Sequence, residues 1–291
     1  DENKREIGLE LYDAALDQGN EALYVEMRSR EMHGEEPPIE IAELMKKFDV
    51  VLCPTTKSLT HTQARRDASE MGVRIATFPG ITKDVMIRGL SADYSAIYDL
   101  TMKLKKLLDK TKIIKVTAKN GTDITLDVTE RKGIASHGLF HKKGESGNLP
   151  KGEAYLAPLE GKSNGVFVVD GSMAGVGMIE DQPIKIVVED GFATDITGGK
   201  EAMALLTILK RYDKNARNIA EFGIGTNHKA KLSGLLLEDE KVMGTIHIAL
   251  GDNKSMGGNV HIPIHLDGVV KKPTVYFDDK LIMKEGKLLL E

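Results

Sequence analysis

Residues 245–268 read TIHIALGDNKSMGGNVHIPIHLDG, and the architecture of the second half of the chain depends on whether this stretch is helical or extended. Pro263 lacks an amide hydrogen and would clash with a preceding helical turn, so HIPIHLD reads as a strand. Side chains alternate between the faces of a strand. His261, Pro263, His265 and Asp267 therefore share one face, and Ile262, Ile264 and Leu266 the other. TIHIALG follows the same parity: Thr245, His247 and Ala249 on one face, Ile246, Ile248 and Leu250 behind. The connector GDNKSMGG is short and glycine-rich, which predicts a hairpin that brings the two histidine faces together. Residues two apart on a strand sit about 6.5–7 Å apart, so His265 and Asp267 could reach one metal cluster, with His261 farther along. Pro263 marks an edge strand or a bulge.

The neighbouring sequence has the same texture. From Ile113, IIKVTAKNGTDITLDVTERKG predicts two strands joined at Asn120-Gly121, a strong hairpin signal. Strands also follow in EAYLAPL, GVFVVDG, IKIVVEDG, TVYFDDK and LIMKEGKLLL, with one helix over 199–212. Before Ile113 the pattern differs: a helix over 3–18, a strand in EALYVEM, a helix in IEIAELMKKF, the strand DVVLCPTT, the helix HTQARRDASEMG, the strand VRIATFP and a long helix within 83–111. Alternation of this kind predicts a parallel sheet covered by helices. The expected fold is an α/β, Rossmann-like N-terminal domain with a parallel sheet over 1–112, plus a β-rich α+β C-terminal metal-binding domain over 113–291. An α/β domain normally starts on a strand, so a short N-terminal piece carrying one is expected to precede this chain.

The 291 residues are 41% hydrophobic and 29% charged, with a formal net charge of -4, the profile of a globular protein. So small a charge argues against a bulk electrostatic grip on nucleic acid or on an anionic membrane. Cys53 is the single cysteine, which excludes an internal disulfide and a thiolate metal cluster. With no apolar run of membrane-spanning length, a cytoplasmic location is expected. Gly175-Val176-Gly177 and Gly223-Ile224-Gly225 lack the following helix and acid of a dinucleotide fingerprint. Lys142-Lys143 and Lys271-Lys272 read as solvated turn charges, and His33, His61 and His228 as surface histidines.

Imidazole nitrogen with carboxylate oxygen suits divalent first-row metals, and the lack of cysteine ligands disfavours a structural zinc knuckle. Further carboxylates that could join the histidines are Glu153 in NLPKGEAYLAP and Glu221 in NIAEFGIGTN, each in a segment mixing glycine with strand formers. The same spacing would also suit a scaffold or ligand-binding protein whose histidines are ordinary strand residues.

The run EKVMGTIHIALGDNKSMGGNVHIPIHLDGVV resembles the C-terminal signature of the aminopeptidase T family, the M29 metallopeptidases. AEFGIGTN is similar to that family's E-x-x-x-G-x-N element and LPKGEAYLAP to its P-x-G-E element. The resemblance covers most of 113–291, with the elements in the family's order. It implies metal ligands at Glu153, Glu221, His247, His265 and Asp267, two divalent ions (zinc, cobalt or manganese), a peptide substrate and a homodimer. Two positions depart from the family pattern: Lys254 stands where a tyrosine is usual, and His261 where a small hydroxyl residue is.

The leading expectation is metal-assisted removal of N-terminal residues from peptides, with metal-bound water as nucleophile. Glu153 or Glu221 would serve as base, and Lys254 or His261 would stabilise the oxyanion. The alternative keeps the site: His247, His265 and Asp267 form a two-histidine, one-carboxylate set suited to iron(II). Distant relatives of the peptidase family with such chemistry open dihydroxypyridine rings. A third reading is a homologue that binds a ligand without turnover.

Overall fold

The computed structural model describes residues 1–290. It is a mixed α/β structure in which the chain forms two compact units, Asp1–Ser91 with Gly138–Lys151, and Ala92–His137 with Gly152–Glu291.

The first unit carries a parallel three-stranded sheet in the order Val50–Cys53, Arg74–Thr77, Ser146–Asn148. Its helices are Glu2–Asp17, Ile39–Met45, Gln63–Glu70 and Lys83–Leu90. Thr62 and Thr82 start the last two, accepting hydrogen bonds from the amides of Arg65 and Val85 that would otherwise be orphaned. Leu59, Ala64, Ala68, Val73 and Ile75, with Ala42 and Met45, form a core between helices Ile39–Met45 and Gln63–Glu70 and the sheet. The strand expected in EALYVEM does not form, although Val25 and Leu23 have suitable side chains. Its place as the third strand is taken by Ser146–Asn148, a segment too short and polar to show a period. That strand exists because Arg74–Thr77 offers it an edge.

In the second unit, helix Tyr94–Leu108 starts at Asp93, whose carboxylate accepts from the amides of Ser95 and Ala96. Leu104 and Leu108 on its apolar stripe are fully buried in this unit's core. The division between units therefore falls before the helix, whereas composition places a boundary after it, at 112. Two sheets complete the unit. One is eight-stranded and includes the Ile113–Thr117 and Asp123–Asp127 hairpin, turned at Asn120-Gly121 with Gly121 at φ 101°. The other is seven-stranded, in the order Gly177–Met178, Ser172–Met173, His265–Lys271, Thr245–Gly251, Ile219–Gly225, Glu153–Leu156, Ile134–Ser136.

The core joins both sheets: Ile114, Val116 and Phe167 from the first meet Phe222, Ile224, Ile246 and Ile248 from the second. Burying one face of the seven-stranded sheet fixes its register, because a one-residue slip would exchange the two faces. Among the described residues no helix is long and apolar enough to cross a membrane.

Candidate metal centre

Four neighbouring antiparallel strands of the seven-stranded sheet carry all five expected ligands. Gly223 pairs with Tyr155 on one side and His247 on the other, and His247 pairs with Val269. Glu221 pairs with Ala249, and Ala249 with Asp267. Glu153 lies opposite Gly225, and His265 opposite Gly251. Since Phe222, Ile224, Ile246, Ile248 and Leu266 point into the core, the alternation puts the acids and histidines together on the opposite face. Small residues among them leave the space: a Cβ at Gly223 would lie 2.0 Å from Nε2 of His247.

Glu221 is the centre of the cluster. One of its oxygens lies 3.1 Å from Nε2 of His247, and the other 3.2 Å from Nε2 of His265. Asp267 Oδ1 lies 3.4 Å from His265 Nε2, and Glu153 Oε2 3.6 Å from His247 Nε2. Two groups could each converge on an ion: Glu153, Glu221 and His247, and Glu221, His265 and Asp267. His265 Nδ1 donates to the carbonyl of Asp252 at 2.8 Å, which fixes the tautomer and leaves Nε2 as the ligand atom. Asp267 Oδ1 and His247 Nδ1 are buried without a hydrogen bond. His247 is fully buried, while His265, with 31% of its side chain exposed, is the outermost member.

The charges are strongly coupled. Burial opposes a proton on His247, but its hydrogen bond to Glu221 and the charges of Glu221, Glu153 and Asp267 outweigh burial and raise it to about 9. His265 is likewise raised well above the ordinary value, burial being overcome by Asp267 and Glu221. Burial pushes the Asp267 and Glu221 carboxyls up, yet the two imidazoles hold both below their usual values. Lys241 is buried and donates to Glu153 Oε1 at 2.8 Å and to Glu240. Burial opposes its charge, and the two glutamates more than restore it. Burial also lifts Glu240 to about 8 and raises the Tyr155 phenol, which Glu153 and Glu221 hold protonated.

The structure brings Glu153, Glu221, His247, His265 and Asp267 together. Lys254 lies in the exposed turn Lys254–Met256, with no hydrogen bond or ion pair of its ammonium among the described residues. His261 also departs from strand parity. The strand begins at His265, beyond Pro263, and His261 is 83% exposed beside Asp252. Lys241, Tyr155, Asp252 and Gly223 are the site residues that spacing alone did not single out. Tyr155 and Gly223 share the face of Glu153 and Glu221 by parity, so a register would have revealed them. Lys241 is the lysine of the EK pair, whose burial no periodicity reports.

A family model for 2,5-dihydroxypyridine 5,6-dioxygenase (NicX) matches residues 4–290. A protein of that name from Pseudomonas putida KT2440 is 26% identical over 200 residues, which is 63% of this chain and 56% of that protein, so the match spans little more than half of the relative. The solved structure of the 2,5-dihydroxypyridine dioxygenase from that organism superposes with a TM-score of 0.78 at 20% identity, over 96% of this chain and 87% of that one. AmpT from Thermus thermophilus superposes less closely, with a TM-score of 0.57 at 15% identity, over 87% of this chain and 80% of that one.

These matches correct the expected activity. The likeness to aminopeptidase T is one of fold, and the assignment as a metallo-aminopeptidase, a hydrolase and protease of the M29 family, does not stand. The physical reason is that the signature consists of acids and histidines on one strand face of this chain, and such a face fixes where the donors lie without fixing the reaction. The chain belongs to the 2,5-dihydroxypyridine 5,6-dioxygenase (NicX) family.

Proposed function

We propose that this protein is an iron(II)-dependent dioxygenase that opens a dihydroxylated pyridine ring. The observation that carries the reading is the convergence of His247 and His265 on the two oxygens of Glu221, with Asp267 beside His265, in a chain whose family is named for that reaction. Two histidines and one carboxylate suit iron(II) and leave positions open. The fit is supported by Asp267 Oδ1, which is buried and faces only the His265 imidazole, and by His265, whose Nδ1 is engaged so that Nε2 is the nitrogen turned to the carboxylates.

Charge favours one ion over two. Glu153, Glu221 and Asp267 against the single ammonium of Lys241 leave two negative charges, which protons on His247 and His265 balance without metal. One divalent ion would replace those two protons. Bound iron(II) would supply the electron transfer that allows dioxygen to react with an aromatic ring. The chain's own residues would bind and prepare that ring. Glu221 would accept the proton of a ring hydroxyl once the imidazoles no longer occupy its oxygens. Tyr155, kept as a neutral phenol, would donate a hydrogen bond to a ring substituent. Glu153, already paired with Lys241, would be left as a fixed wall.

The test is anaerobic loading of the purified chain with iron(II), then addition of 2,5-dihydroxypyridine and dioxygen. About one iron per chain, with dioxygen and the pyridine consumed in equal amounts, is the expected outcome. Binding of about one iron with neither reactant consumed would overturn the substrate assignment. Two ions per chain would overturn the single-metal centre.

A further inference from the structure

The connection 252–264 carries His265 into the site, and it is held by residues distant in sequence. Glu160 reaches into it: Oε1 accepts from Asn253 Nδ2 at 2.8 Å and from the amide of Asn259 at 2.7 Å. Its Oε2 accepts from Arg131 at 2.6 Å, and Arg131 also donates to the carbonyl of Gly257. Asn253, fully buried, closes the turn by accepting from the amide of Val260 at 2.9 Å. Gly258 must be a glycine for this to happen, because a Cβ there would lie 2.1 Å from the Asn253 side chain. Immediately before Asn253, the carbonyl of Asp252 accepts from His265 Nδ1, and Asp252 Oδ1 accepts from the amide of Ile262 at 3.1 Å.

Polar contacts therefore run from Arg131 and Glu160 to the Asn253 side chain, and the peptide bond before Asn253 carries the carbonyl that sets the tautomer and direction of His265. Nothing else about Glu160 calls for a carboxylate. Its side chain is 21% exposed and touches no candidate ligand, yet it makes three hydrogen bonds, two of them to this one loop.

We infer that Glu160 and Arg131 are positioning residues for the metal centre: they clamp the 252–264 connection so that the Asp252 carbonyl presents His265 Nε2 to the ion. The inference rests on His265 being a metal ligand and not on which reaction follows. Outer partners that orient a ligating histidine typically contribute a factor of about 10–100 to metal affinity.

The test uses Glu160→Gln, which keeps the size but puts an amide nitrogen where one of the oxygens accepts. A second variant, Arg131→Lys, keeps the charge but loses the fork that serves Glu160 and Gly257 together. Each whole chain, stripped of metal, is titrated with cobalt(II) and followed by its visible spectrum. Affinity about 10–100-fold weaker, with shifted cobalt bands in chains still folded at the titration temperature, is the expected result. Wild-type affinity and spectrum in both variants, whatever their melting temperature, would overturn the inference. Failure of both to fold would assign the clamp to stability alone and overturn it as well. Because no pyridine is added, an inactive but cobalt-binding wild type would count against the proposed reaction and leave this inference standing.

Discussion

Gly223→Ala tests the geometry of the centre with one methyl group. The new Cβ would lie 2.0 Å from Nε2, 2.3 Å from Cε1 and 2.9 Å from Cδ2 of His247. Carbon contacts are comfortable near about 3.5 Å, so the imidazole must retreat by about 1.5 Å. It has no free path, because His247 is fully buried and its strand is paired on both sides. Gly223 does not need a left-handed backbone, so the effect comes from the side chain alone. Overpacking of this kind costs about 1–3 kcal/mol. A shift of about 1 Å in a reacting group can cost about 100-fold in rate, and Nε2 is the atom that must face the ion. Gly223→Ala should therefore lower the melting temperature modestly, weaken iron(II) or cobalt(II) binding, and reduce turnover at least about 100-fold. The double variant Gly223→Ala/His247→Ala removes the collision, so it should recover stability relative to the sum of the single changes without recovering activity. Metal affinity and turnover of Gly223→Ala equal to the wild type would refute the placement of His247.

Replacing Lys241 by methionine leaves Glu153 without its buried counter-charge, and breaking such a pair typically costs about 3–5 kcal/mol. Urea unfolding of the metal-free variant should show a loss of that size, and an unchanged midpoint would mean that the contact between Lys241 and Glu153 does not stabilise the fold. The metal-free chain should also lose stability with rising pH. His247 is raised from 6.5 to about 9, so its contribution is complete below about pH 6.5 and lost as pH climbs through about 9. About 2.5 pH units corresponds to on the order of 3 kcal/mol. Urea midpoints measured from pH 6 to 10 should fall in the native chain and stay flatter in His247→Gln, and parallel profiles would exclude a charged His247. Metal binding should strengthen over the same range, because the ion displaces protons from both histidines, as isothermal titration in two buffers of different ionisation enthalpy would detect.

Parity read from the sequence found the centre where a strand obeyed it. TIHIALG and HLD are true strands, and the antiparallel pairing of His247 with Val269 brings their polar faces together as the short connector implied. The reading failed at His261, where the backbone leaves the strand at Pro263 and the ring turns out to Asp252. A proline inside an alternating run can mark the end of a strand as well as its edge, and the side-chain pattern is the same in both cases. The third strand of the parallel sheet was invisible for another reason. Ser146–Asn148 has neither strand propensity nor length, and only its partner's unfilled edge makes it a strand. Glu160 and Arg131 were invisible because their meaning lies in contacts with Asn253 and Gly257, about a hundred residues away in the chain.

Chemistry was less legible than geometry, and the site itself explains the difference. Glu153, Glu221, His247, His265 and Asp267 specify a cluster of acids and imidazoles, a donor set that suits many divalent ions. Hydrolysis and dioxygen chemistry differ in what the ion does afterwards, and that depends on net charge and on which donors remain free. Both are set by pairings that a linear pattern does not report: Lys241 with Glu153, His265 with the Asp252 carbonyl, and the two oxygens of Glu221 shared between two histidines. Lys254 illustrates the converse. Its place in the signature suggested a part in catalysis, yet a turn residue acts only if the loop folds over the ligands. Here the loop is held by Glu160, with Lys254 on its exposed side. A motif thus transfers the strand face reliably, while the reaction has to be argued from the residues that surround the face.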